Sequence, residues 1–355
     1  IVFTNEKISG GSKATATATL DEAAVTSIAK TENLEKKRLL AWVKALSQAQ
    51  SNRSDPLAPL VSVFVNDKPD WNPLLSENAN FEDRRKKYLE ALGRLELAVD
   101  YCDLPPGLFL QDGYSFGKRP KLPGDLLLDA NGGLAGVARW GMARRESSWR
   151  DLRIVDSAKD AGKLGFVRAG LTLRTPTFAN TQGDAHYLVR GKAKAVAVID
   201  SHRLVQGPLH GNTVIDAGRS GELTWVTQDL DKRGQTYLGH RLHLEFTPID
   251  RNDFEVLMID LSNDAGARGE VLNFLKNPPN ALGQGVDTLG ESPTREQLAT
   301  LVSSNLKDVA GKLGNPFGSK PADLEQARLA DWLVRNKGLM GLDEARVTAE
   351  FVAEY

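Results

Sequence analysis

One cysteine, Cys102, stands in a chain of 355 residues, so there is no internal disulfide and no cysteine-based metal or haem site. A lone cysteine suits cytosolic and exported bacterial proteins alike, which leaves the compartment open. Net charge is also scarce: at −1, no overall field draws in nucleic acid or an anionic membrane. No apolar run approaches the ~20 residues of a membrane-spanning helix. Signature loops are missing as well. AGKLGNP (310–316) lacks the earlier Gly and the Ser or Thr after Lys that a phosphate loop needs, and no GxGxxG follows a strand. There is no GxSxG, HExxH or CxxCH either, and no internal repeat or low-complexity linker. What is present is ordinary globular composition, 41% hydrophobic and 26% charged, in a chain long enough for two or three domains. It opens on Ile1 in sequence of mid-domain character, which predicts a mature or excised piece of something longer.

The most informative stretch runs from about Leu164 to Ser262. HYLVRG (186–191), AVAVID (195–200), LTWVTQDL (223–230), GHRLHLEFTP (239–248) and FEVLMIDLS (254–262) read as short strands broken by turns. In the fourth, Leu242, Leu244 and Phe246 alternate with Arg241, His243 and Glu245, so one face is apolar and the other polar. The expected fold is mainly β with flanking α: a central antiparallel β-sandwich or jelly roll at 103–263, between an N-terminal strand-plus-helix segment at 1–102 and a helical segment at 264–355. TATATL (15–20) suggests a strand. Helical spacing covers about 34–48, where Leu39, Leu40, Val43 and Leu46 oppose Lys36–Arg38, and about 81–99, where the run EDRRKK (82–87) reads as a solvated face. A helix at 291–314 starts at Ser292 as cap with Pro293 first in the helix; another spans about 321–336, and 342–355 reads as a last one.

All five histidines (186, 202, 210, 240, 243) fall inside the β block. Asp200, His202, His210, His240, His243 and Glu245 could ligate a metal or supply an acid/base pair, or could simply be the wet face of a sheet. Asp229, Asp231 and Asp260 could serve a calcium ion, although no calcium-loop spacing joins them. Gly239 suits a tight turn before a core strand, which would put His240 and Arg241 at a sandwich rim. A ligand-binding edge of Arg241, His202, Arg203, Tyr237 and His240 is one reading, and capping of the sheet end by hydrogen bonds is the other. Trp140 and Trp149 would be sugar-stacking platforms if exposed and core residues if buried.

RTPTFANTQGDAHYLVRGKAKAVAVIDSHRLVQGPLHG (174–211) and WVTQDLDKRGQTYLGHRLHLEFTP (225–248) resemble a region of the large planctomycete cytochrome c-associated multi-domain surface proteins. The pattern rests on Thr175, Pro176 and Phe178, on Asp200, on Pro208, Leu209 and Gly211, and on Trp225, Asp229, Leu230, Gly239, His240, Arg241 and Glu245. DGYSFGKRPKLPGD (112–125) and LADWLV (329–334) extend the resemblance on either side. It implies a carbohydrate-binding-module-like sandwich in an exported, envelope-associated protein of the periplasm or cell surface. Haem c would belong elsewhere in a parent chain, because no attachment motif lies here. The function expected is a non-catalytic, glycan-recognising module with no catalytic residues, binding through Trp140, His202, Arg203, Tyr237, His240 and Arg241. The alternatives are an assembly module of a larger multi-domain complex, with apolar patches on helices 34–48 and 321–336, and a jelly-roll carbohydrate-active enzyme using Glu245 or Asp200 with His240 or His243.

Overall fold

The computed structural model describes residues 22–52, 55–65, 71, 81–129, 131–145, 168, 170–199, 213–219, 221–231, 237–249, 253–279, 281–290 and 293–339. The helices are α1 (Glu22–Thr31), α2 (Lys36–Ser51), α3 (Ala58–Val65), α4 (Phe81–Leu92), α5 (Ala265–Lys276), α6 (Arg295–Gly311) and α7 (Pro321–Arg335). The strands are β1 (Leu97–Asp100), β2 (Leu110–Gln111), β3 (Leu126–Leu128), β4 (Leu134–Val137), β5 (Ala143–Arg144), β6 (Leu173–Arg174) and β7 (Phe178–Ala179). They continue with β8 (Asp184–Arg190), β9 (Ala193–Ile199), β10 (Val214–Ala217), β11 (Leu223–Asp229), β12 (Arg241–Pro248) and β13 (Glu255–Asp260). Contacts divide the chain into two compact units: Asp83–Pro278 with Gly314–Arg328, and Ile1–Glu82 with Pro279–Leu313 and Leu329–Tyr355.

The first unit is an antiparallel β-sandwich. One sheet runs β1-β13-β8-β11 with β5 also on β13; the other runs β10-β9-β12-β6-β2 with β7 also on β12; β3 and β4 form a separate hairpin. The alternation in β12 has the consequence expected of a two-residue period. Leu242, Leu244 and Phe246 point between the sheets, where they meet Ala185, Tyr187 and Val189 of β8. Tyr187 packs its ring edge-on to Phe246 at 5.1 Å between centroids, and Phe246 also meets Phe254 at 5.9 Å. Gly191, in the β8–β9 turn, has φ +94°, and a Cβ there would strike the Asp253 carbonyl, so only glycine fits.

The β8–β13 sheet carries a second apolar layer on its other side. Leu188, Leu223, Leu257 and Met258 face Val271 and Phe274 of α5, and Tyr88 of α4 stacks on Phe274 at 4.3 Å. A sheet buried on both faces explains why β8 and β13 are buried residue after residue rather than on alternate positions. The Arg85 guanidinium meets buried Glu325 at 2.9 Å and anchors the charged face of α4. The expected helix at 81–99 is shorter: α4 stops at Leu92, the Gly93 and Arg94 amides close a turn onto the Leu89 and Ala91 carbonyls, and 97–100 becomes β1. Val99 is needed in the sandwich core.

The other unit contains α1, α2, α3 and α6, with short 310 turns at Ala281–Gly283 and Val286–Leu289 before α6 and at Lys337–Leu339 after α7. Asn305 on α6 donates its side-chain amide to the Leu282 and Gln284 carbonyls at 3.0 Å. The cap of α6 is Thr294, not Ser292. Thr294 Oγ1 accepts from the Gln297 amide at 3.2 Å while the Gln297 side chain accepts from the Thr294 amide at 2.7 Å. A capping box needs Glu or Gln three residues past the cap, and counting from Ser292 would place Arg295 there. The strand expected at 15–20 and the helix expected at 342–355 lie outside the described residues. No helix among the described residues is long and apolar enough to cross a membrane.

Candidate functional site

The loop before β12 is held from below by Asn180. Its Oδ1 accepts from the Gly183 amide at 3.0 Å, its Nδ2 donates to the Tyr237 carbonyl at 3.2 Å, and its backbone bonds to Gly239 and His240 at 2.8 Å each. Gly239 turns the chain with φ +78°, a left-handed conformation, as a tight turn at this point requires. Tyr237 is buried and packs into the sandwich core, with the His240 ring edge-on to it at 6.2 Å. Leu238, His240 and Arg241 are exposed. Rigid support under exposed polar side chains is what a recognition loop needs.

The other expected ligand-binding residues do not all join this rim. Trp140 is buried, in the layer between the β8–β13 sheet and the helices, whereas Tyr237 lies between the two sheets. The Trp140 ring is covered by the Arg139 guanidinium at 4.5 Å, with that of Arg190 at 5.9 Å, so its flat face is already occupied by cations. Trp225 is half-buried, and its Nε1 donates to the Arg268 carbonyl at 2.9 Å. His202, Arg203, Asp200, His210 and Trp149 lie outside the described residues.

His186, His243 and the carboxylates near them are engaged in structure. His243 and Glu245 share a face, as their spacing predicts, with His243 Nε2 3.4 Å from Glu245 Oε1; the Glu245 carboxylate is itself held by Arg168. Burial, reinforced by Arg174 and Arg168, pushes the His243 pKa down to about 4. His186 is likewise lowered to about 4, by burial and then by Arg268 against the opposing pull of Asp260, and its Nδ1 lies 2.9 Å from Thr227 Oγ1. Asp260 accepts from Arg268 and from the Glu96 and Ser262 amides, each at 2.9 Å. Burial alone would raise the Glu255 pKa, but Arg190 and Arg144 on either side outweigh it and hold the carboxyl below its ordinary value. Burial, with Asp100 adding, drives the Cys102 thiol up to about 12, far from a nucleophile. Among the described residues no three His, Cys, Asp or Glu side chains gather as a metal requires, Asp229, Asp231 and Asp260 included.

Two features escaped the sequence reading. Arg168 and Arg174 beside His243 come from another strand and its lead-in, and no local spacing announces them. The second is a cavity of about 630 Å³ in the helical unit, lined by residues of α2, α3 and α6; its traces in sequence are the apolar stripes of the helices at 34–48 and 291–314. Comparisons with family models, curated proteins and solved structures return no match.

Proposed function

We propose that the chain is a non-catalytic binding module, with its recognition site on the 237–241 loop and a glycan as ligand. The observation that carries this reading is a division of labour among the polar residues. Glu245, Glu255 and Asp260 are each held by an arginine, and His186 and His243 are kept neutral at pH 7, so these five groups are committed to structure. His240 and Arg241 stand exposed to solvent on a loop fixed by Asn180. Because Tyr237 and Trp140 are buried, the sugar is gripped through hydrogen bonds from Arg241 and His240 rather than by stacking on those rings. Tyr114, 60% exposed, cannot supply the missing platform at this rim. β2 is aligned through β6 so that Gln111 sits level with Phe246, which puts Tyr114 toward the far end of β12 from His240. The resemblance to planctomycete cytochrome c-associated surface proteins supports the same assignment, and with it an exported, envelope-associated parent. The test is a glycan array on the full chain followed by titration of any hit. Arg241→Ala and His240→Ala should each weaken binding about tenfold or more; unaltered binding by both variants, or no hit from folded protein, rejects the reading.

The assembly alternative retains one favourable observation. Leu39, Leu40, Val43 and Leu46 on α2 are only half-buried, whereas on α7 Leu324, Leu329 and Leu333 are buried and Trp332 is half-buried, so the apolar surface expected on both helices lies mostly on α2.

A further inference from the structure

We infer that the helical unit binds a small amphipathic anion, a carboxylate or phosphate on an apolar body, in the cavity between α2, α3 and α6. The inference is independent of the glycan site. At about 630 Å³ the cavity falls within the range of small-molecule sites. Its walls are mostly apolar, with Trp42, Val43 and Leu46 from α2 facing Val302 and Leu306 of α6 across Leu60. Trp42 Nε1 donates to the Leu339 carbonyl at 3.0 Å, which fixes the indole and makes its ring a stable wall rather than a swinging one. The cavity opens to solvent, and a hydrocarbon body seated in it would take its apolar walls out of water.

The charge on the walls selects the head group. Among the described lining residues the charged ones are Arg38 and Arg295, and both are cations. Arg38 pairs with Glu35 at 3.0 Å, but its side chain is 48% and that of Glu35 58% exposed, and a pair so open to water is weak enough for a ligand anion to take Glu35's place. Arg295 is the first residue of α6, so the positive end of a 17-residue helix adds to its field. Ser303 offers a hydroxyl in the same wall. An apolar body with a single anionic group suits the apolar lining and adds charge-assisted bonds at the guanidiniums; a neutral body adds none, and a cationic one is repelled.

The experiment is calorimetric titration of the full chain with dodecanoate, dodecanol and dodecyltrimethylammonium, the two ions below their micellar concentrations and the alcohol below its solubility limit. Dodecanoate should bind at least about tenfold more tightly than dodecanol, with no binding of the cation. The double variant Arg38→Gln/Arg295→Gln, which removes both cations and leaves the apolar walls intact, should reduce dodecanoate to the level of dodecanol. Val302→Trp, which fills the chamber, should abolish binding of both while the circular dichroism of the protein is retained. Equal affinity for all three probes, dodecanoate affinity unchanged in the double variant, binding that survives Val302→Trp, or no binding to the folded full chain would each overturn the inference. None of these outcomes touches Arg241 or His240, so they are separable from the glycan test.

Discussion

Replacing Glu255 by Gln removes one negative charge from between two arginines and should be among the most damaging isosteric changes in the sandwich. Glu255 is 1% exposed, receives Arg190 Nε at 2.7 Å on one oxygen, and is bonded by Arg144 as well. Each contact is worth about 5 kcal/mol in Coulomb energy at roughly 3 Å and an effective dielectric of about 20, before the desolvation of all three ions is subtracted. Removing one partner of a buried pair generally costs about 3–5 kcal/mol, since the opposing charge is left uncompensated. Here Arg190 is 34% exposed and can rehydrate, which moves the expectation to the lower end, about 3 kcal/mol at pH 7. The pH dependence supplies a second handle. The folded pKa of Glu255 lies below the ordinary 4.5, so the carboxylate's contribution is complete above that value and is lost as pH falls below it. Urea denaturation followed by circular dichroism at pH 7 and at pH 3 therefore reads the whole argument. The gap between wild type and Glu255→Gln should be about 3 kcal/mol at pH 7 and should narrow in acid. A gap under about 1 kcal/mol at pH 7, or one that stays constant to pH 3, would refute the assignment of a net stabilising charge cluster.

The sandwich was legible because its strands carry their own periodicity. β12 alternates residue by residue, and the apolar member of each pair is the one found between the sheets. β1 was not legible, because Leu95 and Val99 continue the helical spacing of Tyr88 and Leu92; the break is a backbone turn at Gly93 and Arg94 rather than a change of pattern. For the site, the exposed pair His240 and Arg241 followed from the glycine before them, a local signal. The side on which Trp140 lies was harder to read, although FEVLMIDLS held a clue: a strand apolar on both faces requires cover on both sides, and Trp140 belongs to the outer cover. Charge pairing was beyond reach, since Arg144 finds Glu255 across 111 residues and Arg168 finds Glu245 across 77. Such partners are fixed by strand register, which spacing along one strand does not contain.

Local capping offers a smaller and sharper test. Thr294→Ala should cost about 1 kcal/mol, read as a lowered melting temperature, while Ser292→Ala should leave it unchanged; the reverse ranking would contradict the capping box at Thr294. The histidines give a prediction with a definite sign. His186 and His243 fall from 6.5 to about 4 on folding, so between those values the unfolded chain binds protons that the folded chain refuses. Stability must then decline as pH drops from about 6.5 toward 4, by up to about 3 kcal/mol for each histidine if the whole shift is expressed. Ring-proton NMR should show both residues still neutral at pH 5.5, and His243→Gln should flatten the acid limb of the stability curve without abolishing it, because His186 remains. For His243 the leading cause is burial, with Arg174 and Arg168 second, so Arg168→Gln should raise its midpoint only part of the way back. A midpoint near 6.5 in the native protein would mean that His243 reaches water on the outer face of β12, and the claim that this face is committed to structure would fall with it.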